Sequence, residues 1–399
     1  MKKQNIFSVA LCALMATVTL TSCEGALDDI FGEWSRPVKQ LSIEETPLTI
    51  EAVESGTIQV LYKKGLTLPK PVTYTKNGVS TSITADTDIA VAAGDVISFS
   101  SENSTLNSDL PGCYLNILAD HKIYVYGNVM SLINDEGDFS KDKTISGEYA
   151  LCALFYGNTE LYNHPEKKII LPATTLSKGC YAQLFYGCNK MATAPELPAM
   201  EMKEECYYEM FSYCRSFTTA PTLPATSLST QCYYQMFYNC TSLTAAPALP
   251  ATELATECYY QMFYNCTSLT AAPALPATEL TEGCYKQMFT FCRKLIAAPA
   301  LPATTLKKEC YYSMFAVCEA LTETPHLAAE TLADDCYKYM FQNCPALTKA
   351  YVKAGYNATA CNLMFDGCTD DSANTFYTDG GTSWDSVVGV TNWQKAAYQ

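Results

Sequence analysis

Residues 232–254 read CYYQMFYNCTSLTAAPALPATEL, and the same letters return at residues 258–280. Related copies place an opening cysteine every 26 residues from Cys180 to Cys336, and a closing cysteine eight residues after each one. A fixed period in this range is typical of solenoids, in which each repeat buries its apolar face against its neighbours. The period therefore predicts the fold of residues 146–368.

The two halves of the repeat predict different backbone structures. In the first half, five apolar residues share one arc of about 140° if the segment is an α-helix. They are Cys232, Tyr233, Met236, Phe237 and Cys240. The second half contains Pro247 and Pro250, which lack a backbone donor, so we expect only very short parallel strands there. Together the halves predict an α/β solenoid with short helices on one side and short parallel strands on the other.

The repeat also carries a family resemblance. It resembles the A-F-x-x-C-x-x-L-x-x-(I/V)-x-(I/L)-P repeat of the BspA-like leucine-rich repeat proteins of bacterial surfaces. The matching positions in the index copy are Met236, Phe237, Cys240, Leu243, Leu249 and Pro250. The resemblance covers residues 149–368 and departs from the family at the opening cysteine and at the Ala-Pro step. It implies a leucine-rich repeat solenoid and a role in adhesion.

Residues 1–22 are typical of a secretory signal. Lys2 and Lys3 precede an apolar run that is too short for a typical membrane-spanning helix. The ending Leu-Thr-Ser-Cys resembles a bacterial lipobox, which implies that Cys23 is acylated and anchors the mature chain in the membrane. The alternative is an ordinary signal peptide with an incidental cysteine. Acidic residues soon after Cys23 are similar to the signal that sends Bacteroides-type lipoproteins to the cell surface. We therefore expect an outer-membrane lipoprotein that faces the cell exterior.

The segments around the repeats have other textures. Residues 23–40 are expected to be a tether. Residues 41–145 contain short alternating runs separated by turn signals such as Lys76-Asn77-Gly78, which predicts a small all-β, sandwich-like domain. Two interpretations remain open: an independent domain, or an extended cap continuous with the repeats. Residues 369–399 carry Trp384 and Trp393 and are expected to cap the last repeat.

Composition excludes several function classes. The chain has a formal net charge of −15 at pH 7 and no basic cluster, so we expect no nucleic-acid binding and no membrane contact other than the lipid on Cys23. The three histidines stand alone, and no motif for nucleophilic, phosphate-transfer or zinc chemistry is present. We therefore expect a non-enzymatic protein with no cofactor and no metal site.

The cysteines allow three interpretations. Positions eight apart on a helix lie about 12 Å apart in rise, whereas disulfide-bonded cysteines need Cα atoms within about 7 Å. This spacing favours buried free thiols over a disulfide ladder. Some disulfides, and less readily a metal site, remain open alternatives.

What remains for function is the outward surface of the predicted helices. One row of tyrosines and a second row lie on this face, with glutamines between them. The candidate residues are Tyr208, Tyr234, Tyr260 and Tyr312 in one row, Tyr186, Tyr238 and Tyr264 in the other, and Gln235 and Gln261 between them. Tyrosine combines contact area with a polar group and suits protein or sugar recognition. The alternative is that these rings only shield the layer beneath them.

The sequence thus predicts a lipid-anchored surface protein that mediates adhesion by binding an extracellular protein. A glycan-binding lipoprotein for nutrient capture is the alternative from another class. An envelope spacer without a ligand is the third.

Overall fold

Residues 48–128 form eight strands in two sheets. The structure is a computed structural model that describes residues 41–107, 112–134 and 137–398. The strands are β1 (Leu48–Ala52), β2 (Gly56–Tyr62), β3 (Val72–Lys76), β4 (Val79–Ile83), β5 (Thr87–Val91), β6 (Val96–Ser101), β7 (Leu115–Ala119) and β8 (Ile123–Asn128). The first sheet contains β8-β1-β6-β3-β4 in that order, and the second contains β5-β2-β7. Alternate residues of these strands point into one shared hydrophobic core.

Turn chemistry explains the hairpin between β3 and β4. Asn77 and Gly78 connect the two strands, and both have a left-handed backbone with φ of 52° and 77°. A two-residue turn with two positive φ angles matches the twist of the flanking strands, and Asn-Gly is the sequence that adopts it most readily. The predictions for residues 1–40, which are the signal, the Cys23 anchor and the tether, lie outside the described residues.

Both N-terminal sheets continue into the first repeat through backbone hydrogen bonds. In the first sheet, β8 pairs in parallel with β9 (Leu161–Asn163) and β10 (Ile169–Ile170). In the second sheet, the N–H of Ile117 on β7 donates to the carbonyl of Leu154 at 2.7 Å. The hydrophobic core runs without a break from these sheets into the repeats. The predicted division at residue 145 stays a prediction.

The first half of each repeat is a succession of turns, which we call the turn ribbon; in the index repeat it is residues 231–240. The N–H groups of Tyr234 and Met236 donate to carbonyls three residues back, at 3.2 and 3.3 Å. The alternate N–H groups of Gln235 and Phe237 donate instead to the next repeat, at 2.8 and 3.0 Å. Every fourth residue is left-handed, with φ of 53° at Gln231 and 50° at Gln235.

The prediction of an α/β solenoid with a helix layer is therefore wrong. Within the part of the chain that the structure describes, the single α-helix is α1, the four residues Ala358–Cys361. The three short 3-10 helices are Lys63–Gly65, Val129–Leu132 and Gly381–Trp384. A residue with φ near +50° cannot continue a right-handed α-helix, whose residues have φ near −63°. The stacked repeats instead satisfy alternate N–H groups from one repeat to the next.

The inward residues of the turn ribbon build straight columns through the stack. Phe237 stacks on Phe211 and Phe263 with ring centroids 5.8 and 5.7 Å apart, and Tyr233 stacks on Tyr259 at 5.8 Å. All of these rings are buried. Identical repeats place identical side chains on top of one another, so each column is a continuous apolar core one ring wide.

The second half of each repeat pairs weakly with its neighbours because of its prolines. In the middle of the stack, the pairing is reduced to single parallel bridges such as Thr219 with Ala245 and Ser227 with Glu253. Proline cannot donate to a sheet ladder, so the segments between the bridges make no strand. Where the prolines thin out near the C-terminus, the parallel strands β11 (Glu323–Leu327), β12 (Lys349–Val352), β13 (Thr375–Tyr377) and β14 (Gln394–Ala396) form a sheet.

The C-terminal residues cover the last repeat with two tryptophans. Trp384 and Trp393 are buried, and their ring centroids lie 6.1 and 6.4 Å from that of Phe365. Each indole N–H donates to a backbone carbonyl at 3.0 Å, to Ala354 and Thr369 respectively. The apolar rings therefore close the core without leaving a buried donor unpaired.

Candidate functional site

The first tyrosine row consists of Tyr208, Tyr234 and Tyr260 on the outer side of three consecutive turn ribbons. Their rings stack face to face, with centroids 4.6 and 4.5 Å apart and interplanar angles of 8° and 11°. All three rings are half-buried. Because the planes are parallel and the repeats are stacked, each ring covers the face of the next ring, and the ring edges form the outer border of the row.

Tyr312, the fourth residue predicted for this row, is separated from the others by Lys286. The ammonium of Lys286 lies 5.7 Å from the centroid of Tyr260 and 5.0 Å from that of Tyr312, within reach of a cation–π interaction with each ring. It also forms an ion pair with Glu309 at 2.6 Å. The structure therefore brings three of the four predicted tyrosines together and inserts a paired cation before the fourth.

A second tyrosine row runs beside the first and is longer than predicted. Tyr238 and Tyr264 stack at 4.8 Å and 5°. Tyr186 and Tyr238 are not neighbours, because Tyr213 lies between them, 5.3 Å from one and 5.5 Å from the other, with tilted rings. Tyr156 extends the row at its start, 4.5 Å from Tyr186. Sequence reasoning missed Tyr213 because it sits one position later in its repeat than the other members, where the index repeat has asparagine.

A ladder of side-chain amides lies between the two rows. The amide of Gln235 donates to the carbonyl oxygen of Gln261, and Gln261 donates to Gln287 at 2.9 Å. The hydroxyl of Tyr260 donates to the same oxygen of Gln287 at 3.2 Å, which ties the first row to the ladder. In an earlier repeat, Glu209 takes the place of a glutamine in this ladder. The side-chain amides of the predicted Gln235 and Gln261 are thus hydrogen-bonded to each other and to the next repeat.

Burial raises the pKa of titratable groups on this face. Desolvation raises the pKa of Tyr208 and of Tyr238 to about 12. Desolvation also raises the pKa of Glu209 above its usual value, against the lowering effect of a hydrogen bond from Gln183. We call the two tyrosine rows together with the amide ladder the tyrosine face. It offers neutral hydroxyl groups and apolar ring edges held in place by stacking.

This geometry decides what the tyrosine face can contact. A sugar ring that stacks on an aromatic residue needs an open ring face, whereas both faces of Tyr234 are already covered by Tyr208 and Tyr260. What remains is an edge surface of phenol groups and ring carbons. Tyrosine edges and hydroxyls are common contact groups of protein interfaces, and fixed rings lose little conformational entropy on binding.

The histidines are spread over three unrelated places. Nδ1 of His121 lies 2.8 Å from a carboxylate oxygen of Asp120, and His326 stacks on Tyr351 with ring centroids 4.1 Å apart. His164 accepts backbone N–H groups of its own loop through Nδ1 at 3.0 Å. Among the residues that the structure describes, no group of three or more His, Cys, Asp or Glu side chains could hold a metal ion.

Every described cysteine is a free thiol, and the closing cysteines share one hydrogen bond. The thiol of Cys240 donates to the carbonyl of Phe211 at 3.2 Å, and that of Cys266 donates to Phe237 at the same distance. Asn158 takes this role in the first repeat, where its amide donates to the carbonyl of Ile117 at 3.1 Å. The closing cysteine is therefore a small apolar residue whose weak donor links one repeat to the one before it.

The described residues include no helix with the length and apolar character needed to cross a bilayer. The chain matches no protein-family model, and a search of curated proteins found no relative. Function must therefore be inferred from the chain's own surfaces.

Proposed function

We propose that this chain is a non-enzymatic binding protein that mediates adhesion by contacting an extracellular protein through its tyrosine face. In this proposal the chain is a BspA-like surface lipoprotein, held at the outer face of the outer membrane by the lipid on Cys23. The observation that carries the proposal is the set of stacked, half-buried tyrosines whose facing ring planes cover one another and whose edges border the surface.

The order of these rings supports a protein partner. A tyrosine in an ordinary loop loses side-chain freedom when it is bound, and this loss opposes binding. In the first row that loss has already occurred on folding for Tyr234, because its ring is held between Tyr208 and Tyr260 at about the closest stacking distance that aromatic pairs adopt. The amide ladder fixes the position of the Tyr260 hydroxyl as well. A preordered surface of this kind can bind a large partner by many small contacts.

The experiment compares the soluble mature chain, residues 24–399, with a double variant, Tyr234→Ala and Tyr260→Ala. Both proteins are tested on immobilised extracellular-matrix proteins and on a panel of polysaccharides. We expect saturable binding to a protein and a loss of affinity of at least tenfold in the variant.

The matched control removes a different stacked pair, Tyr351→Ala and Tyr377→Ala. These rings stack at 4.7 Å and 5° on strands β12 and β13, away from the turn ribbons. The control is expected to bind as the unaltered chain does. Equal losses in both variants, or binding to sugars alone, would contradict the proposal.

A further inference from the structure

Strand β4 forms an open edge of the first N-terminal sheet. Among the described strands it pairs with β3 alone, so one side of its backbone has no partner strand. Residues 79–82 are exposed, and Val79 is 67% exposed, the highest value among the large apolar side chains that the structure describes. Strand β4 therefore projects beyond the hydrophobic core and presents its backbone to solvent.

The hairpin turn determines which backbone groups of β4 face the open side. In a hairpin with a two-residue turn, the residues that flank the turn form a hydrogen-bonded pair, and bonded and non-bonded pairs then alternate along the strands. Lys76 and Val79 flank the turn, so Thr81, two residues further along, also bonds to β3. Ser80 and Ser82 occupy the alternate positions. Their N–H and C=O groups therefore point away from β3.

Side-chain contacts agree with this alternation. The hydroxyls of Ser80 and Thr75 are 2.8 Å apart, and those of Ser82 and Thr73 are 3.2 Å apart. Side chains approach each other most closely in the pairs that lack backbone bonds. Within the described part of the chain, the outward N–H and C=O groups of Ser80 and Ser82 have no backbone partner. Four hydrogen-bonding groups are thus available to an added strand.

This edge lacks the features that usually protect a sheet edge. Charged residues and proline on an edge strand hinder its pairing with other chains. Comparable edge strands of this protein carry them: β5 has Asp88, β11 has Glu323 and Pro325, and β14 has Lys395. Strand β4 reads Val-Ser-Thr-Ser-Ile and has neither a charge nor a proline.

The sequence of β4 is also matched to itself. In either direction it has a β-branched apolar residue at each end, a serine next to each end and Thr81 at the centre. An antiparallel copy centred on Thr81 therefore places Val79 opposite Ile83, and Ser80 opposite Ser82. This register brings the outward N–H and C=O groups of the serines together as two hydrogen-bonded pairs, which is four backbone bonds.

We propose that β4 pairs with β4 of a second copy of this chain in an antiparallel, two-fold symmetric dimer that joins the two first sheets into one. A two-fold dimer needs a self-complementary surface, and this edge is self-complementary in hydrogen bonding and in side chains. The ammonium of Lys76, which lies across the hairpin from Val79, is already paired with Asp95 at 2.7 Å. The charge beside the edge is therefore neutralised before the copies meet.

Sedimentation velocity of the soluble mature chain, residues 24–399, tests for the dimer. Five residues a side are few compared with about 20–30 in a stable interface, so we expect a weak, reversible dimer at about 0.1–1 mM. The net charge of −15 opposes association, so salt should strengthen the dimer. A chain that stays monomeric in high salt would overturn the proposal, even if it binds a peptide with the β4 sequence.

Charge substitutions at Thr81 test the two-fold register. Because Thr81 lies opposite itself, Thr81→Lys and Thr81→Glu each place two like charges together, and each is expected to weaken the dimer at least tenfold. An equal mixture of the two variants places opposite charges together and is expected to recover the affinity to within threefold. Dimers that survive in both single variants, or a mixture that stays as weak as they are, would refute the register.

The matched controls are Thr252→Lys and Thr252→Glu, which make the same charge changes at an exposed threonine of the repeat stack. They are expected to leave the dimer unchanged. Equal losses at Thr252 and Thr81 would show that net charge and not the β4 edge governs association, and would refute the location. None of these outcomes depends on the tyrosine face.

Discussion

The turn ribbon and an α-helix predict opposite orders of stability for a glycine and an alanine variant at the same residue. Asn239 has a left-handed backbone, with φ of 61°, and its N–H donates to the carbonyl of Tyr264 at 2.8 Å. Glycine already occupies the equivalent position in other repeats, with φ of 73° at Gly187 and 75° at Gly367. We therefore compare two variants at this position, Asn239→Ala and Asn239→Gly.

Both variants lose the same side-chain hydrogen bond, which the amide of Asn265 donates to Asn239 at 2.7 Å. The difference between the variants therefore isolates the backbone. A left-handed alanine has a conformational energy about 1–2 kcal/mol above the right-handed form. Glycine avoids that energy but loses about 0.5–1 kcal/mol more chain entropy on folding. The glycine variant should be the more stable one by about 1 kcal/mol.

A helix at the same place predicts the reverse order. In a helix interior, glycine is about 1 kcal/mol less favourable than alanine. The free energy of unfolding of the glycine variant is thus about 1 kcal/mol above that of the alanine variant in the turn ribbon and about 1 kcal/mol below it in a helix. The sign of this difference distinguishes the two structures. Urea unfolding followed by far-ultraviolet circular dichroism measures this difference. A higher midpoint for the alanine variant would refute the turn ribbon, and the same pair of changes at Asn265 provides a replicate.

Four further predictions concern buried and half-buried groups. Burial raises the pKa of Glu209, so its folded-state pKa lies above the unfolded value of about 4.5, and ionisation lowers the free energy of unfolding as the pH rises. Glu209→Gln should therefore raise the free energy of unfolding at pH 7 and change it little at pH 4, as measured by urea titration. The hydroxyl of Tyr233 is buried without a hydrogen-bond partner, so Tyr233→Phe should leave the free energy of unfolding unchanged or raise it. By contrast, Tyr260→Phe loses the bond to Gln287 and should lower the free energy of unfolding by about 0.5–1.5 kcal/mol. The buried thiols have raised pKa values and should resist iodoacetamide at pH 8 until the chain unfolds, and a reductant should not shift the urea midpoint.

The inward residues of the repeat could be predicted from the sequence, but the backbone that carries them could not. Cys232, Met236 and Cys240 are buried, as a helix would also require, because a spacing of four residues nearly matches a helical turn over so short a segment. A signal against the helix was nevertheless present. Glycine or asparagine stands just before the closing cysteine in most repeats, and both residues tolerate a left-handed backbone. Helix interiors disfavour glycine at such positions.

The candidate site was only partly predictable. Because members of a row repeat every 26 residues, the tyrosines could be assigned to rows from the sequence alone. Tyr213 and Lys286 could not be placed, since one is shifted by a position and the other fills a place that aromatic residues hold in neighbouring repeats. The covering of the ring faces depends on the distance between repeats, which the sequence does not contain.

One feature beside the first repeats had no sequence signal, namely a cavity of about 700 Å³ that is lined by Ile43, by Ile170 of strand β10 and by residues 166–168 of a short inserted loop. Ile43 and Ile170 are more than a hundred residues apart in the chain. Only the insertion itself is visible as a departure from the repeat. Sites of this kind arise from tertiary structure and not from a motif.

The central claim is that the tyrosine face contacts an extracellular protein. The most direct measurement is the affinity of the mature chain for matrix proteins and polysaccharides, alone and with Tyr234→Ala and Tyr260→Ala. We expect saturable protein binding that the double variant weakens at least tenfold and that the Tyr351→Ala, Tyr377→Ala control retains. Binding that survives in the double variant, or binding to polysaccharides alone, would contradict it.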